Sequence, residues 1–155
     1  MKKTFSAQIN ELQVTLTNKA KESRRAGNRR MLQGAIVIQE VAQTLAPIDK
    51  GNLEDAIELN ISRDRNGRNE YNVEINISAP GSNNAATVGK YIQRMYFGVY
   101  SLGKNSTSKD EAIGGNGLGY GFGGKVGPFF LERAFDKHTA NIRKGVVDAM
   151  RRGLR

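Results

Sequence analysis

The chain has no cysteine and a single histidine. Without cysteine neither a disulfide framework nor a thiolate metal site can form, and one imidazole leaves metal chemistry to carboxylates alone. The histidine, His138, falls on an apolar helical stripe with no triad partner in view, so its expected role is that of a core or helix-flanking residue. Long apolar runs are missing as well. No stretch approaches the ~18 apolar residues of a membrane span, and "MKKTFSAQINELQ" has two lysines but no apolar run of signal-peptide length. A non-membrane protein made in the cytoplasm is expected.

What is present is a modest apolar fraction, 38% of 155 residues, enough for a single domain over 1–155 with a small core. The net charge is +9, with an isoelectric point near 10.0. Such a surface attracts polyanions or acidic protein faces, and does so less at high salt. The charge is not uniform. Lys19, Lys21, Arg24, Arg25, Arg29 and Arg30 fall within twelve residues that hold one acid, Glu22, and a second basic cluster closes the chain in "MRRGLR".

Along the chain, Ile9, Leu12, Leu16 and Ala20 recur at helical spacing, and Met31, Ala35, Ile38, Ala42 and Leu45 resume it. One long helix, or two with a break near Gly27, fits both sets. The basic interval "KAKESRRAGNRR" between them shows no apolar face, which predicts a basic helical region within 1–30 that projects into solvent or onto a partner. Pro47 ends the helix, because it lacks an N–H donor and pushes its predecessor out of helical geometry. Ile57, Leu59 and Ile61 then alternate with polar residues, as do Tyr71, Val73, Ile75 and Ile77, giving two strands with one apolar face each.

The connection "RDRNGRN" invites a two-residue Asn66-Gly67 turn, but that turn would put the two apolar rows on opposite faces. A three-residue loop of Arg65, Asn66 and Gly67, with the glycine left-handed, pairs Ile61 with Tyr71, Leu59 with Val73 and Ile57 with Ile75. It also sets Asp64 opposite Arg68. "KYIQRMYFGVY" reads as a short helix running into a glycine-ended turn. From Gly98 to Gly127 the chain holds ten of its eighteen glycines, which predicts a long flexible loop over 99–127 rather than a regular core element. After it, Pro128 suits the first turn of a last helix, whose stripe is Leu131, Phe135, His138, Ile142, Val146 and Ala149. The fold class expected is α+β, with two long amphipathic helices packed on a small antiparallel sheet.

No constellation predicts catalysis. "GYGFGG" and "GGNGLG" lack the preceding strand and following helix of a dinucleotide fingerprint, and no P-loop Gly-Lys-Ser/Thr occurs. A loop that orders against a partner suits them better, with Tyr120 and Phe122 as contacts. Asp49, Glu54, Asp55 and Asp64 are explained by turn, capping and cross-strand roles. The basic run lacks interleaved aromatics and matches no usual nucleic-acid motif, so DNA binding through Lys19 to Arg30 stands as a second reading carried by charge alone.

The ordered stretches "APIDKGNL" (residues 46–53), "YFG" (96–98) and "PFFLERAF" (128–135) resemble those of the neck and tail-completion proteins of long-tailed bacteriophages. The resemblance spans roughly residues 25 to 150 and departs from the family pattern at Lys50, where threonine is usual, and in the length of the glycine-rich loop. It implies a virion structural role at the head–tail junction, without catalysis, cofactor or metal. Copies would assemble in the host cytoplasm into a sixfold or twelvefold ring around the DNA channel. Their neighbours would be portal, adaptor or stopper proteins on one side and tail terminator or tail tube proteins on the other. Pro47, Asp49, Gly51 and Leu53 then form an architectural joint. Tyr96, Phe97, Tyr100, Tyr120, Phe122 and Phe129 become candidates for subunit and partner contacts, and Lys19, Lys21, Arg24, Arg25, Arg29 and Arg30 for the channel.

Overall fold

A computed structural model describes residues 5–48, 52–76, 93–97 and 101–155. Helix α1 runs unbroken over Phe5–Leu45, 41 residues and about 60 Å of axial rise. The break considered near Gly27 does not occur. A four-residue turn of helix, α2 (Asn52–Asp55), leads into β1 (Ile57–Arg63) and β2 (Asn69–Ile75), a two-stranded antiparallel sheet. Residues 93–97 are helical. Helix α3 covers Lys104–Ala112, and α4 covers Phe130–Leu154. The class is α+β, with the long helices packing on the hairpin. Contacts group the chain into two units, residues up to Gly34 with Thr139–Arg155, and Ala35–His138.

In the first unit α1 and α4 lie antiparallel, and small residues form the seam. The Ser23 hydroxyl donates to the Met150 carbonyl at 2.9 Å, and a Cβ added at Gly153 would stand 2.7 Å from the Ser23 Cα. Farther along, Gly27 faces Met150 and Val146, Gly34 faces Ile142, and the Arg30 guanidinium crosses Gly145. One face of the basic interval is therefore held in a packed seam, while Lys21, Arg24, Arg25, Arg29 and Arg30 on its other sides are exposed. Its buried residues are Ser23 and Gly27, which a search for large apolar side chains passes over. Contact here comes from close backbone approach, not from apolar bulk.

In the second unit, Ala42, Ala46, Leu53, Ile57, Phe130 and Ala134 form the buried cluster, with Ile38, Leu45, Val73, Ile75, Met95 and Tyr96 packed against it. The hairpin pairs Ile57 with Ile75, Leu59 with Val73 and Ile61 with Tyr71, the register that the two apolar rows require. Asp64 N–H donates to the Arg68 carbonyl, while the Asp64 carboxylate accepts from the Asn66 and Arg68 N–H groups. Gly67 closes the loop at φ +69° with open space around it. Gly67→Ala therefore meets no clash, only the left-handed backbone cost. The expected loss is about 1 kcal/mol in urea unfolding.

Segment 99–127 is not loop throughout. Its first glycine-poor stretch, KNSTSKDEA, is α3, with Ser106 and Asp110 buried one turn apart. No apolar stripe marks that helix, because what fixes it is polar contact with distant residues. Pro128 also lies outside the last helix, two residues before its start at Phe130.

Candidate functional site

The joint after α1 is assembled from three separate parts of the chain. Pro47 and Leu53 are buried; Asp49 and Gly51 lie outside the described residues. At the end of α1 the helix carbonyls need donors, and Lys109 of α3 supplies them: its Nζ donates to the Gln43 carbonyl at 2.6 Å and to that of Ala46 at 2.8 Å. The same ammonium pairs with the Glu54 carboxylate of α2. Ser106 clasps the next residue of the joint, accepting from the Ile48 N–H at 2.8 Å and donating to its carbonyl at 3.1 Å. Gly127 N–H closes the set on the Leu45 carbonyl. Ser106, Lys109 and Gly127 thus clamp the chain where it leaves α1, between Gln43 and Ile48.

Asp110 organises that segment. Its Oδ1 accepts from the Lys125 N–H at 2.5 Å and the Val126 N–H at 2.6 Å, and its Oδ2 from the Gly117 N–H at 2.9 Å. Burial alone raises the carboxyl pKa, but the three N–H donors and the nearby Lys125 charge outweigh it and hold the group below its ordinary value. Gly124 sits against this carboxylate with no room for a side chain: a Cβ there would fall 2.7 Å from Oδ2 and 2.6 Å from the Gly119 nitrogen. The signal in the sequence is a carboxylate ahead of a run of glycine N–H groups, a pattern suited to an anion nest. Hydrophobic periodicity does not detect it.

Three of the aromatic candidates come together. Tyr96 lies edge-to-face with Phe97, Phe129 and Phe130 at centroid distances of 5.0, 5.9 and 5.3 Å, and Phe97 meets Phe129 at 6.0 Å. Phe97 is 68% and Phe129 40% exposed, so the cluster joins the core at Phe130 and reaches solvent at the other two rings. Phe129 has φ +55°, the one non-glycine residue in the left-handed region among those described. For an aromatic residue that geometry is costly and must be held by its surroundings. Its N–H donates to the Tyr96 carbonyl. Tyr120 and Phe122 do not join this cluster. Tyr120 carries the Arg133 guanidinium 3.9 Å above its ring, and Phe122 is exposed. Tyr100 lies outside the described residues.

The basic candidates all belong to α1. Lys19 is committed to the end of α4, donating to the carbonyls of Leu154 and Arg155 at 3.3 and 2.7 Å. Lys21, Arg24, Arg25, Arg29 and Arg30 are exposed. To them α4 adds Arg143, Lys144, Arg151 and Arg152 on the same helical pair. The unit formed by residues 1–34 and 139–155 has 13 lysines and arginines against 3 acids, net +10; residues 35–138 have 11 against 12, net −1. The net positive charge of the chain therefore lies in the unit that holds the helical pair.

A cleft of about 540 Å³ opens in the second unit. Its floor is apolar, built from Ala35, Ile38, Val73 and Leu131 with the ring of Phe135 at the side. Glu132 and Asp136, one turn apart on α4, also line it, and Glu74 lines it from β2 while its carboxylate accepts from the Asn60 side-chain amide. Tyr96 donates its hydroxyl to Glu132. Among the described residues no group of three or more histidines and carboxylates is placed to hold a metal ion, and no helix is long and apolar enough to cross a membrane. His138, on α4, has a buried Nε2 with no hydrogen-bond partner.

The described residues thus hold a clamped joint, an exposed aromatic cluster, a basic helical pair and a cleft lined in part by carboxylates. Comparison with protein families, with curated proteins and with solved structures finds no match, so the functional reading rests on the residues of this chain.

Proposed function

We propose that this chain is a structural subunit of the bacteriophage head–tail junction, assembling as a ring around the DNA channel and carrying out no chemical step. What supports the reading is that the three stretches carrying the resemblance, thirty residues or more apart from one to the next, meet around one core. Ala46 and Leu53 come from the joint, Tyr96 from the aromatic segment, and Phe130 and Ala134 from the last helix. The shared pattern is then a packing pattern, as a structural family requires. The exposed rings of Phe97 and Phe129 suit a subunit or partner contact, since aromatic groups held rigidly at the surface give large contact area at low entropic cost.

The deciding experiment is electron microscopy of a lysate from a phage that has this reading frame interrupted by an early stop codon. DNA-filled heads and finished tails lying apart are expected. Intact infectious particles would overturn the reading. A narrower prediction concerns the aromatic cluster: Phe97→Ala, at a position two-thirds exposed, is expected to lower stability by less than about 1 kcal/mol. Complementation of the interrupted phage by this variant should nonetheless fall at least tenfold.

A second reading, free-standing DNA binding, is favoured by the segregation of charge onto the helical pair. It predicts duplex affinity for the isolated chain that falls steeply with salt and does not depend on sequence. Sub-micromolar binding at physiological salt, together with intact particles from the interrupted phage, would select it.

A further inference from the structure

We infer that the cleft of residues 35–138, lined in part by carboxylates, receives the amino-terminal part of α1, residues 5–21, from a second copy of this chain. The inference rests on the ring reading above and names the contact that would build the ring.

The donor is the stretch of α1 that precedes its seam with α4. Lys19 already bonds to the last carbonyls of α4, Leu154 and Arg155, so the helix before Lys19 extends past the end of its partner. On it Ile9, Leu12 and Leu16 share one face at spacings of three and four, and are 40%, 58% and 59% exposed. They continue the line of Ser23, Gly27 and Gly34 that α4 covers farther along. Only Glu11 is charged between Phe5 and Asn18, and Lys21, Arg24 and Arg25 follow within two turns. The segment is therefore an apolar stripe followed by exposed cations.

The acceptor has the complementary arrangement. An apolar floor takes side chains of leucine and isoleucine size at the i, i+3, i+7 positions of a helix laid across it. Glu132 and Asp136, one turn apart on α4, line the same cleft and offer the following cations carboxylate partners; among the described residues neither is in an ion pair. The charge balance of the two units, +10 and −1, favours this encounter over that of two basic helical pairs. Because donor and acceptor are different patches, each copy that docks leaves one arm and one cleft free. Such a heterologous contact propagates, and closes into a ring when its rotation allows.

The absence of cysteine makes the contact testable by cross-linking. Leu12→Cys and Phe135→Cys proteins, mixed in equal amounts and treated with a short bis-maleimide, are expected to give a dimer-sized product several-fold above that of either variant alone. Asp136→Lys placed in the Phe135→Cys protein should reduce that product several-fold, and Lys21→Glu in the Leu12→Cys protein should restore it. Circular dichroism and thermal melts check that every variant is folded. No mixed product, or a cross-link that forms within one chain when both cysteines are placed together, would overturn the inference. If the unmodified chain forms oligomers by light scattering without that cross-link, the contact falls and the ring reading stands. If the cross-link forms but interrupted phage give intact particles, the contact stands and the ring reading falls.

Discussion

Asp110→Ala is expected to cost about 3–5 kcal/mol at neutral pH, a large share of what a domain of this size has. The carboxylate accepts three backbone N–H bonds while fully buried. Removing it leaves those three N–H donors without their acceptor. A hydrogen bond to a charged group contributes about 1.5–3 kcal/mol, and each stranded donor adds a desolvation cost. Asp110→Asn is expected to lose less, because one oxygen still serves Lys125 and Val126 while the new amide faces the Gly117 N–H, donor against donor. Urea unfolding of the three proteins measures the order.

The same residue sets a pH dependence. Its folded pKa lies below the ordinary carboxylate value, so the unfolded chain binds the proton first. Its contribution is complete above the unfolded pKa and is lost as pH falls through the folded one, below about pH 4. The stability gap between wild type and Asp110→Asn should therefore narrow on acidification. A gap that stays constant or widens in acid would show that the carboxylate charge does not hold the glycine segment. Because α3 also bears Ser106 and Lys109, loosening the segment should unclamp the joint. Hydrogen exchange at the Ile48 amide is expected to rise in Asp110→Ala.

The second large effect is expected at the helical seam, where two physical terms oppose each other. Replacing a glycine inside a helix gains about 0.8–1 kcal/mol of propensity, and overpacking costs about 1–3 kcal/mol. At Gly34 a Cβ would stand 2.6 Å from Cγ2 and 2.9 Å from Cγ1 of Ile142. Those atoms are fixed close to the α4 backbone, so overpacking wins. Gly34→Leu, which must also place the rest of its side chain in the seam, is expected to lose about 2–3 kcal/mol net. At Gly27 the obstruction is the flexible side chain of Met150, 41% exposed. Met150 can swing aside, so Gly27→Ala is expected to be neutral or up to about 0.5 kcal/mol stabilising. Thermal melts of both variants decide whether small residues were selected by the seam or merely tolerated in a long helix.

The local features were legible because their causes are local. The alternation of Ile57, Leu59 and Ile61 with their partners, together with Gly67, sets the hairpin register through a period of two and one left-handed turn position. The end of α1 was legible because Pro47 acts on its neighbour through sterics alone. The last helix announced itself by its apolar stripe, although its start was displaced to Phe130 by the left-handed Phe129, which no pattern of residue types foretells.

Other features depended on residues brought together from far apart. Gly27 reads as a helix break by propensity, and becomes a contact position only where Met150 and Val146 approach it. The aromatic candidates were visible as residue types, but only the fold joins Tyr96, Phe97 and Phe129 in one cluster and leaves Tyr120 and Phe122 out. Composition made 99–127 look like loop because α3 lacks an apolar stripe; its order comes from Ser106, Lys109 and Asp110 bonding to backbone groups up to 66 residues away. The sequence by itself determined the elements whose geometry follows from neighbours within a few residues: the long helices, the hairpin and its register, and the proline stop. Only the tertiary structure decided the seam of small residues, the clamp on the joint and the cleft lined in part by carboxylates, because close approach and hydrogen-bond partnership exist only once distant backbone segments meet.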